Sequence, residues 1–315
     1  MDSVLAQTFS DYELIIADDG SSDATSDLIT SYLQSGESKT DCIRYFRQPN
    51  QGKSVALNNA MLQAKGEWIA FLDSDDRWLP EKLERQFRAI EQFGDRRGAC
   101  FTDGQFVNNQ HMDTTAFEFF GQHYEESVGT LPDAVKTLAT TPAGISIVTL
   151  VCRADLVRKV GGFDPDLRFT EDYDFLFRLA LVTDFCFVNE PLVVIDRTPA
   201  EKRHNGSSAV WDEVDFRLQC EQRRYEKWLA LTDQSSNQNS AEIRGIIMHH
   251  LRKVHSGWAN WYLSNADYAM AAREIRRAAN YQLTPGLIVK RILTRVCPGI
   301  ARMMALRRGF DAQVF

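Results

Sequence analysis

Three aspartates stand within four residues at the end of an apolar run. Asp73, Asp75 and Asp76 follow residues 68–72, whose aromatic and β-branched members are typical of a strand covered on both faces. Ligands collect outside the carboxyl ends of such strands in open α/β sheets. Because these acids repel one another unless a cation lies among them, and hard oxygen ligands suit Mg²⁺ or Mn²⁺, the pattern indicates a metal and diphosphate site. The alternative is a solvated turn in which Asp73 or Asp75 caps a following helix, whose start is indicated by Pro80.

Two further acidic clusters lie at predicted element boundaries. Asp18 and Asp19 end the apolar run 12–17. The third cluster enters a segment with helical apolar spacing and consists of Glu171, Asp172 and Asp174. Acids in a first helical turn interact favourably with the helix dipole, so this cluster also has a purely structural interpretation.

Strands and helices alternate in the first half of the chain. The sequence predicts strands at 12–17, 43–46 and 68–72. Helices are predicted at 24–32, 54–64 and 80–93. This alternation predicts an α/β fold with a mostly parallel, doubly wound sheet of Rossmann type. A strand is also predicted at 146–152, followed by helices at 154–160 and 171–181 and a strand at 192–196, whereas residues 98–142 have no clear pattern.

Composition and charge narrow the function classes. The 315 residues are 44% hydrophobic and 25% charged, which indicates a globular protein with a large core and an appendage. Residues 211–315 contain 16 basic and 10 acidic residues, leaving 20 and 33 for residues 1–210. The acidic first part argues against nucleic-acid binding, whereas the basic second part suits an anionic surface.

Six cysteines have no metal-like spacing, so we expect reduced core residues in a cytoplasmic protein. No apolar stretch is long enough to span a bilayer, and no signal-peptide pattern opens the sequence.

An ordered set of motifs from residue 3 to about 208 resembles the inverting family 2 glycosyltransferases, which have the GT-A fold. The motifs are the segments 3–9 (SVLAQTF), 17–23 (ADDGSSD), 50–58 (NQGKSVALN), 71–76 (FLDSDD), 160–164 (VGGFD) and 171–174 (EDYD). The resemblance implies a sugar transfer from a nucleotide-diphosphate sugar to an acceptor hydroxyl.

The resemblance also implies roles for the acids. Asp18 and Asp19 would contact the base and ribose of the donor. Asp73, Asp75 and Asp76 would hold the ribose and a divalent ion, Mn²⁺ or Mg²⁺, with Asp75 as the favoured ligand and Asp76 assisting.

The remaining implied roles concern the acceptor side and the diphosphate. Asp172 would be the general base, with Glu171 beside it as a substrate contact. Lys53 would lie near the donor, although an exposed lysine at a helix start is the alternative. Phe163 would line the acceptor side, with core packing as the alternative, and His204 would contact the diphosphate or the metal, with a solvated loop residue as the alternative.

One departure concerns the start of the sequence. Family members begin with a strand and a donor-binding turn, whereas this sequence begins inside the helix that follows them. Loss of a central strand would leave unpaired backbone groups on its neighbours. We therefore predict a truncated gene model, with a compromised enzyme as an alternative.

The predicted domains are a GT-A domain over 1–210 and an α-helical region over 211–315. Helices are expected at 211–231, 241–264 and 266–281, the last two as a hairpin. Residues 287–309 are basic and amphipathic, which predicts peripheral contact with anionic lipid on the inner face of the cell membrane; packing of this segment on the core is the alternative.

Three function classes follow from the sequence. The first is an inverting glycosyltransferase of polysaccharide, lipopolysaccharide or glycolipid synthesis, with a glycan or lipid-linked acceptor. The alternatives are a sugar-phosphate nucleotidyltransferase and an inactive nucleotide-sugar-binding or scaffold protein. A glycine-rich basic loop for a triphosphate is not visible near the amino terminus, which argues against the second class.

Overall fold

A computed structural model describes residues 1–35, 40–94, 97–108, 114–198, 214–235 and 238–308. The described residues form two compact units, one before and one after residues 199–213. The predicted domain boundary at 210 lies outside the described residues and stays a prediction.

The first unit alternates strands and helices along most of its length. Its strands are β1 (Leu14–Asp18), β2 (Ile43–Arg47), β3 (Trp68–Ala70), β4 (Arg77–Trp78), β5 (Arg97–Val107), β6 (Val128–Thr130), β7 (Val151–Arg153) and β8 (Asp184–Asp196). Its helices are α1 (Asp2–Leu5), α2 (Thr25–Gln34), α3 (Lys53–Gln63), α4 (Lys82–Phe93), α5 (Ala116–Phe119), α6 (Ala134–Thr140), α7 (Ala154–Val160) and α8 (Glu171–Ala180).

The strands form two sheets. β1 pairs with β2 in parallel, and the larger sheet has the order β3-β7-β5-β8-β4 with β6 also on β8. The two longest ladders, β1–β2 and β5–β8, are parallel, whereas the short ladders are antiparallel. The strand pairing confirms the predicted α/β class, with short antiparallel pairings added to the predicted parallel ones.

Burial differs sharply between the strands. β5 and most of β8 are buried and form the centre of the larger sheet. β1 and β3 are apolar, yet nearly all of their residues are only half-buried. Among the described residues β1 pairs only with β2, and β3 only with β7. Each of these two strands therefore has one edge without a strand partner in the described part of the chain.

The predicted strand at 146–152 is only partly correct. Residues Ile147–Thr149 form a single 3₁₀ turn, and strand β7 begins at Val151. The amide and the hydroxyl of Thr149 both donate to the Ser146 carbonyl, at 3.0 and 2.7 Å. Local hydrogen bonds of this kind compete with a strand ladder, and an apolar pattern does not reveal them.

The second unit consists of helices in its described residues. They are α9 (Val214–Gln234), α10 (Ser240–Ser264), α11 (Tyr268–Tyr281), α12 (Pro285–Val296) and α13 (Pro298–Arg308). α10 and α11 form the predicted hairpin, and a core of Leu263, Ala271, Ala301 and Ala305 joins them to α13.

In the described part of the chain, no helix combines the length and the apolar character needed to cross a membrane. All six cysteines are free; four of them are buried, whereas Cys42 and Cys297 are half-buried.

Candidate active site

The turn after β1 is fixed by its two aspartates. Asp18 is buried and accepts hydrogen bonds from the Ser21 amide at 2.7 Å and the Tyr45 hydroxyl at 2.9 Å. Burial alone raises the pKa of Asp18, but these bonds and the nearby Arg47 guanidinium hold the pKa below its ordinary value. Asp18 is therefore an ionised acceptor that shapes the turn.

Asp19 reaches across to the loop before α3. One oxygen accepts from the side-chain amide of Gln48 at 2.8 Å and from the Gln51 amide at 2.9 Å, and the other accepts from the Gly52 amide at 2.8 Å. Gly52 has φ of 93°, a left-handed conformation that favours glycine. Asp19 thus sets the position from which Lys53, the first residue of α3, extends.

The acids after β3 form one cluster. Asp73, Asp75 and Asp76 each offer a carboxylate oxygen, and these oxygens lie within 4.8 Å of one another. Helix α4 begins at Lys82, its N-cap is Glu81, and no side chain caps it. The alternative in which Asp73 or Asp75 caps this helix is therefore wrong.

Asp76 connects the acidic cluster to the end of β8. Its carboxylate accepts from the Asp196 amide at 2.9 Å, at the end of β8. Burial raises the pKa of Asp76 to about 7, and the charges of Asp73 and Asp75 add to the increase, although the Asp196 amide opposes it. A cation among the three carboxylates would relieve this repulsion.

Two further acids lie at the start of α8. Burial raises the pKa of Glu171 to about 7, assisted by the charge of Asp172 and opposed by Lys53. Burial also raises the pKa of Asp172, and Lys53 opposes that increase. Glu171 Oε2 and Asp172 Oδ1 are buried without a hydrogen-bond partner among the described residues. Buried oxygens of this kind normally find a partner, so both are available to a ligand.

Lys53 joins the two acidic regions. Its ammonium lies 3.0 Å from Asp73 Oδ2 and 3.3 Å from Asp172 Oδ2. Burial lowers the pKa of Lys53, but Asp172, Asp73 and Glu171 outweigh it and hold the pKa above its ordinary value. The structure thus brings together acids that are about a hundred residues apart in sequence.

Positioning contacts that the sequence reasoning missed hold the start of α8. Arg178 pairs with Asp174 at 2.7 Å and donates to the carbonyls of Val160 and Gly162 at 2.6 and 2.7 Å. The third acid of this cluster therefore has a structural role. The only sequence signal for this pair is the i, i+4 spacing of an acid and an arginine on a helix.

Asn58 of α3 is a second missed positioning residue. Its side chain accepts from the Phe163 amide and donates to the Phe163 carbonyl, both at 2.8 Å. Asn58 belongs to the motif at 50–58, but nothing in its local sequence indicates a partner a hundred residues away.

Phe163 does not line an open acceptor surface. Its side chain is 1% exposed and lies against Phe71 and Phe175, with ring centroids 5.4 and 4.6 Å apart. The expected substrate contact is therefore corrected to core packing, because two aromatic neighbours cover the ring. His204 lies outside the described residues, so its expected role stays a prediction.

Residues 1–153 match the family model described as Glycosyl transferase family 2. These residues belong to glycosyl transferase family 2. An uncharacterized glycosyltransferase of Rickettsia typhi is 30% identical over 196 residues, which are 61% of this chain and 57% of the relative. The chain thus spans little more than half the length of that relative. The predicted family is confirmed.

Solved structures support the fold of this chain. S. aureus TarS 1–349, crystallised in complex with UDP-GlcNAc, aligns with a TM-score of 0.67 at 17% identity, covering 98% of this chain and 86% of that TarS fragment. The mannosyltransferase PcManGT from Pyrobaculum calidifontis, in complex with GDP-Man and Mn²⁺, aligns with a TM-score of 0.50 at 16% identity, covering 97% of this chain and 78% of PcManGT. At these identities the similarity concerns the fold alone.

Proposed function

We propose that this chain transfers a sugar from a nucleotide-diphosphate sugar to an acceptor hydroxyl, with inversion at the anomeric carbon. One observation carries the proposal: the Lys53 ammonium lies within 3.3 Å of both Asp73, in the acidic cluster, and Asp172, the candidate base. A transferase needs a site for the leaving diphosphate and a base for the attacking hydroxyl in one place. An ammonium group shared by the two acids supports that arrangement.

The acidic cluster fits a divalent cation. Three carboxylates with oxygens within 4.8 Å form a hard-oxygen donor set, and burial together with the charges of Asp73 and Asp75 raises the pKa of Asp76, which supports a need for positive charge there. Asp75 and Asp76 would hold Mn²⁺ or Mg²⁺, with Asp73 beside them. When bound, the ion supplies positive charge that stabilises the leaving diphosphate.

Asp172 performs the proton transfer. In its ionised form it accepts the proton of the acceptor hydroxyl as the oxygen attacks the anomeric carbon, and the nucleoside diphosphate leaves from the opposite face. The raised pKa of Asp172 strengthens it as a base, while Lys53 keeps enough of it ionised. Because only one displacement occurs, the anomeric configuration inverts.

The remaining site residues position the donor. Asp18 and Asp19 order the turn and the loop expected to contact its base and ribose, and Glu171 offers a buried oxygen to the sugar. Lys53 contributes positive charge beside the phosphates. The proposed acceptor is a glycan or a lipid-linked sugar of polysaccharide, lipopolysaccharide or glycolipid synthesis. We place the reaction in the cytoplasm, and at the inner face of the cell membrane for a lipid-linked acceptor.

The first experiment compares nucleotides in a thermal-shift panel. UDP, GDP, dTDP and CMP are each added with and without Mn²⁺. We expect one diphosphate to raise the melting temperature, and to raise it more with Mn²⁺, because a ligand that binds only the folded state stabilises it. Failure of all four nucleotides with Mn²⁺ would contradict the proposed donor site.

The second experiment separates a transferase from a binding protein. Asp172→Asn should lower the transfer rate by about 10²- to 10⁴-fold, which is the usual contribution of a positioned base, and leave the nucleotide-induced thermal shift within error. The matched control is Asp155→Asn, because Asp155 is an exposed acid on α7 that pairs with neighbouring Arg153. Equal transfer rates for Asp172→Asn and the control would exclude Asp172 as the base.

A further inference from the structure

The last two helices carry large apolar side chains on their solvent side. Exposed fractions of these side chains range from 39% for Met304 to 72% for Val296. The exposed set is Ile288, Val289, Ile292, Val296, Ile300, Met303, Met304 and Leu306. A globular protein rarely leaves so many neighbouring large apolar residues in water without a binding role. We call these eight residues the apolar face.

The opposite side of the same helices already packs on the helical core. In α12, Leu287 is buried in a cluster with Ala259, Ile275 and Ala278. In α13 the buried residues are the small Ala301 and Ala305. α13 therefore presents its small apolar residues to the core, and both helices present most of their large apolar residues to the solvent. Core packing, the alternative from the sequence, accounts for the inner side only.

The spacing of the outward residues places them in a row along each helix. Ile288, Ile292 and Val296 are four residues apart and lie one above the other on α12. On α13, Ile300 is followed by Met303 and Met304 at i+3 and i+4, which again lie on one side.

The charged residues within the segment that carries the apolar face all have one sign. Residues 285–308 contain six basic residues and no acidic residue. Arg291, Arg295 and Arg302 are exposed, and the two arginines of α12 stand three residues after Ile288 and Ile292. The whole chain has a net charge of −7, so this cationic segment is a local exception. Exposed arginines beside apolar residues complement a surface that is anionic outside and apolar beneath, as an anionic bilayer is.

A cavity lies next to the apolar face. It has a volume of about 160 Å³ and is lined by residues of α10, α12 and α13, with Val289 and Met304 of the apolar face among them. Its polar residues are Asn260 and Lys290, which are hydrogen-bonded to each other at 2.7 Å. The apolar face therefore borders a recess, which could accept part of a lipid acyl chain.

We propose that the apolar face of α12 and α13, with Arg291, Arg295 and Arg302, docks this chain on the surface of an anionic lipid bilayer. The side chains of the face enter the boundary between headgroups and acyl chains, and the arginines contact lipid phosphates. Membrane docking deepens the proposed function and rests on it, because a chain held at the bilayer surface would lie where a lipid-linked acceptor is found. The docking itself does not need the transfer reaction.

The experiment measures co-sedimentation of the full chain with phosphatidylcholine vesicles, with and without phosphatidylglycerol. We expect binding at least about tenfold tighter to the anionic vesicles, and weaker binding at high salt, because each basic residue near such a surface adds favourable energy. Ile292→Ser with Val296→Ser, and separately Arg291→Glu with Arg295→Glu, should each weaken that binding about tenfold or more.

Matched controls lie in the first unit. Leu28→Ser with Leu62→Ser removes two side chains that are 69% and 83% exposed, and Arg158→Glu with Lys159→Glu reverses two exposed charges on α7. Both controls should bind vesicles like the unaltered chain. Because all four α12 positions are exposed, their variants should retain the circular dichroism spectrum and the melting temperature.

Three outcomes would overturn the proposal. They are equal binding to both vesicle types, equal loss in the controls, and unchanged binding in both α12 variants. A chain that is dimeric without vesicles, and becomes monomeric in Ile292→Ser with Val296→Ser, would instead identify the face as an interface between copies. The nucleotide thermal shift serves as an independent readout, since its retention in a chain that does not bind vesicles would reject docking and leave the proposed function intact.

Discussion

Lys53 touches two carboxylates that have different tasks in the proposed reaction. Asp73 belongs to the acidic cluster, and Asp172 is the proposed base. An ammonium group beside a carboxylate favours its ionised form, so Lys53 sets how much of Asp172 is ready to accept a proton. The lysine therefore affects both donor binding and the pH dependence of transfer.

Lys53→Gln tests this dual effect. Activity requires ionised Asp172, so kcat/KM falls as the pH drops through the pKa of that carboxyl. Loss of the ammonium group removes the contribution that lowers this pKa, so the acid limb of the profile should move to higher pH. The control is Lys65→Gln, an exposed lysine of the same unit. An acid limb that stays in place in Lys53→Gln would show that Lys53 does not act on the base.

The acidic cluster makes a separate prediction for metal binding. Asp75→Asn removes the charge of the most exposed member of the set, and we expect weaker Mn²⁺ binding by about tenfold or more. Electron paramagnetic resonance of free Mn²⁺, in the presence of the nucleoside diphosphate, measures this directly. Asp41→Asn, at an exposed acid outside the cluster, is the control. Equal affinities in the two variants would exclude Asp75 as a ligand.

At the scale of elements, helix α4 has an unusual buried face. Lys82 is 0% exposed, donates to Gln86 Oε1 at 2.7 Å, and lies 4.3 Å above the centre of the Trp78 ring. Gln86 in turn donates to the carbonyls of Cys100 and Thr149 at 2.8 and 3.0 Å. This polar contact ties α4 to β5, in addition to the apolar contacts expected from its spacing.

Burial lowers the pKa of Lys82 from 10.5 to about 7. Between these two pH values the unfolded chain binds a proton that the folded chain does not. The free energy of unfolding should therefore rise as the pH increases from 7 towards 10.5, by on the order of 5 kcal/mol for this group alone. Lys82→Met should remove this part of the pH dependence and stabilise the protein below pH 7.

Urea unfolding of Lys82→Met and of the unaltered chain, at several pH values, measures the difference. Lys159→Met, at an exposed lysine, is the control and should follow the unaltered chain. If Lys82→Met keeps the same dependence on pH, the lysine is not neutral in the folded state near pH 8.

Helices and strands could be predicted where the residues that determine them are close together in the sequence. Helix α7 was predicted with its observed ends, because its apolar spacing and the two glycines after it are local features. Strand β5 was not predicted, because its buried polar residues Thr102 and Asp103, followed by Gly104, interrupt any regular pattern of apolar residues. β5 is a strand because it pairs with β8, about 85 residues away. The sequence of either segment alone does not indicate this pairing.

The candidate site also contains residues that local sequence signals predict and residues that they do not. The clusters at Asp18, Asp73 and Asp172 were predictable, because acids directly beside apolar runs are visible in the sequence. The bridge made by Lys53 and the clamp made by Asn58 were not, since each joins residues more than a hundred positions apart. The role expected for Phe163 came from the resemblance, which does not distinguish a pocket ring from a core ring.

At the scale of the whole molecule, the cysteines report on each unit separately. Cys42 and Cys297 are half-buried, whereas the other four are buried. Cys100, Cys152 and Cys186 lie in the first unit and Cys220 in the second. Burial raises the pKa of Cys152, which further slows its reaction with a thiol reagent. A buried thiol becomes reactive only when its surroundings open.

Thiol labelling in increasing urea, followed by mass spectrometry of peptides, therefore measures the opening of each unit. Without urea we expect rapid labelling of Cys42 and Cys297 and strong protection of the other four. Because each unit has its own buried residues, Cys100, Cys152 and Cys186 should become reactive together in one transition, and Cys220 in another. Cys42→Ser with Cys297→Ser should leave both transitions unchanged. A single transition shared by all four buried thiols would mean instead that the two units unfold as one cooperative body.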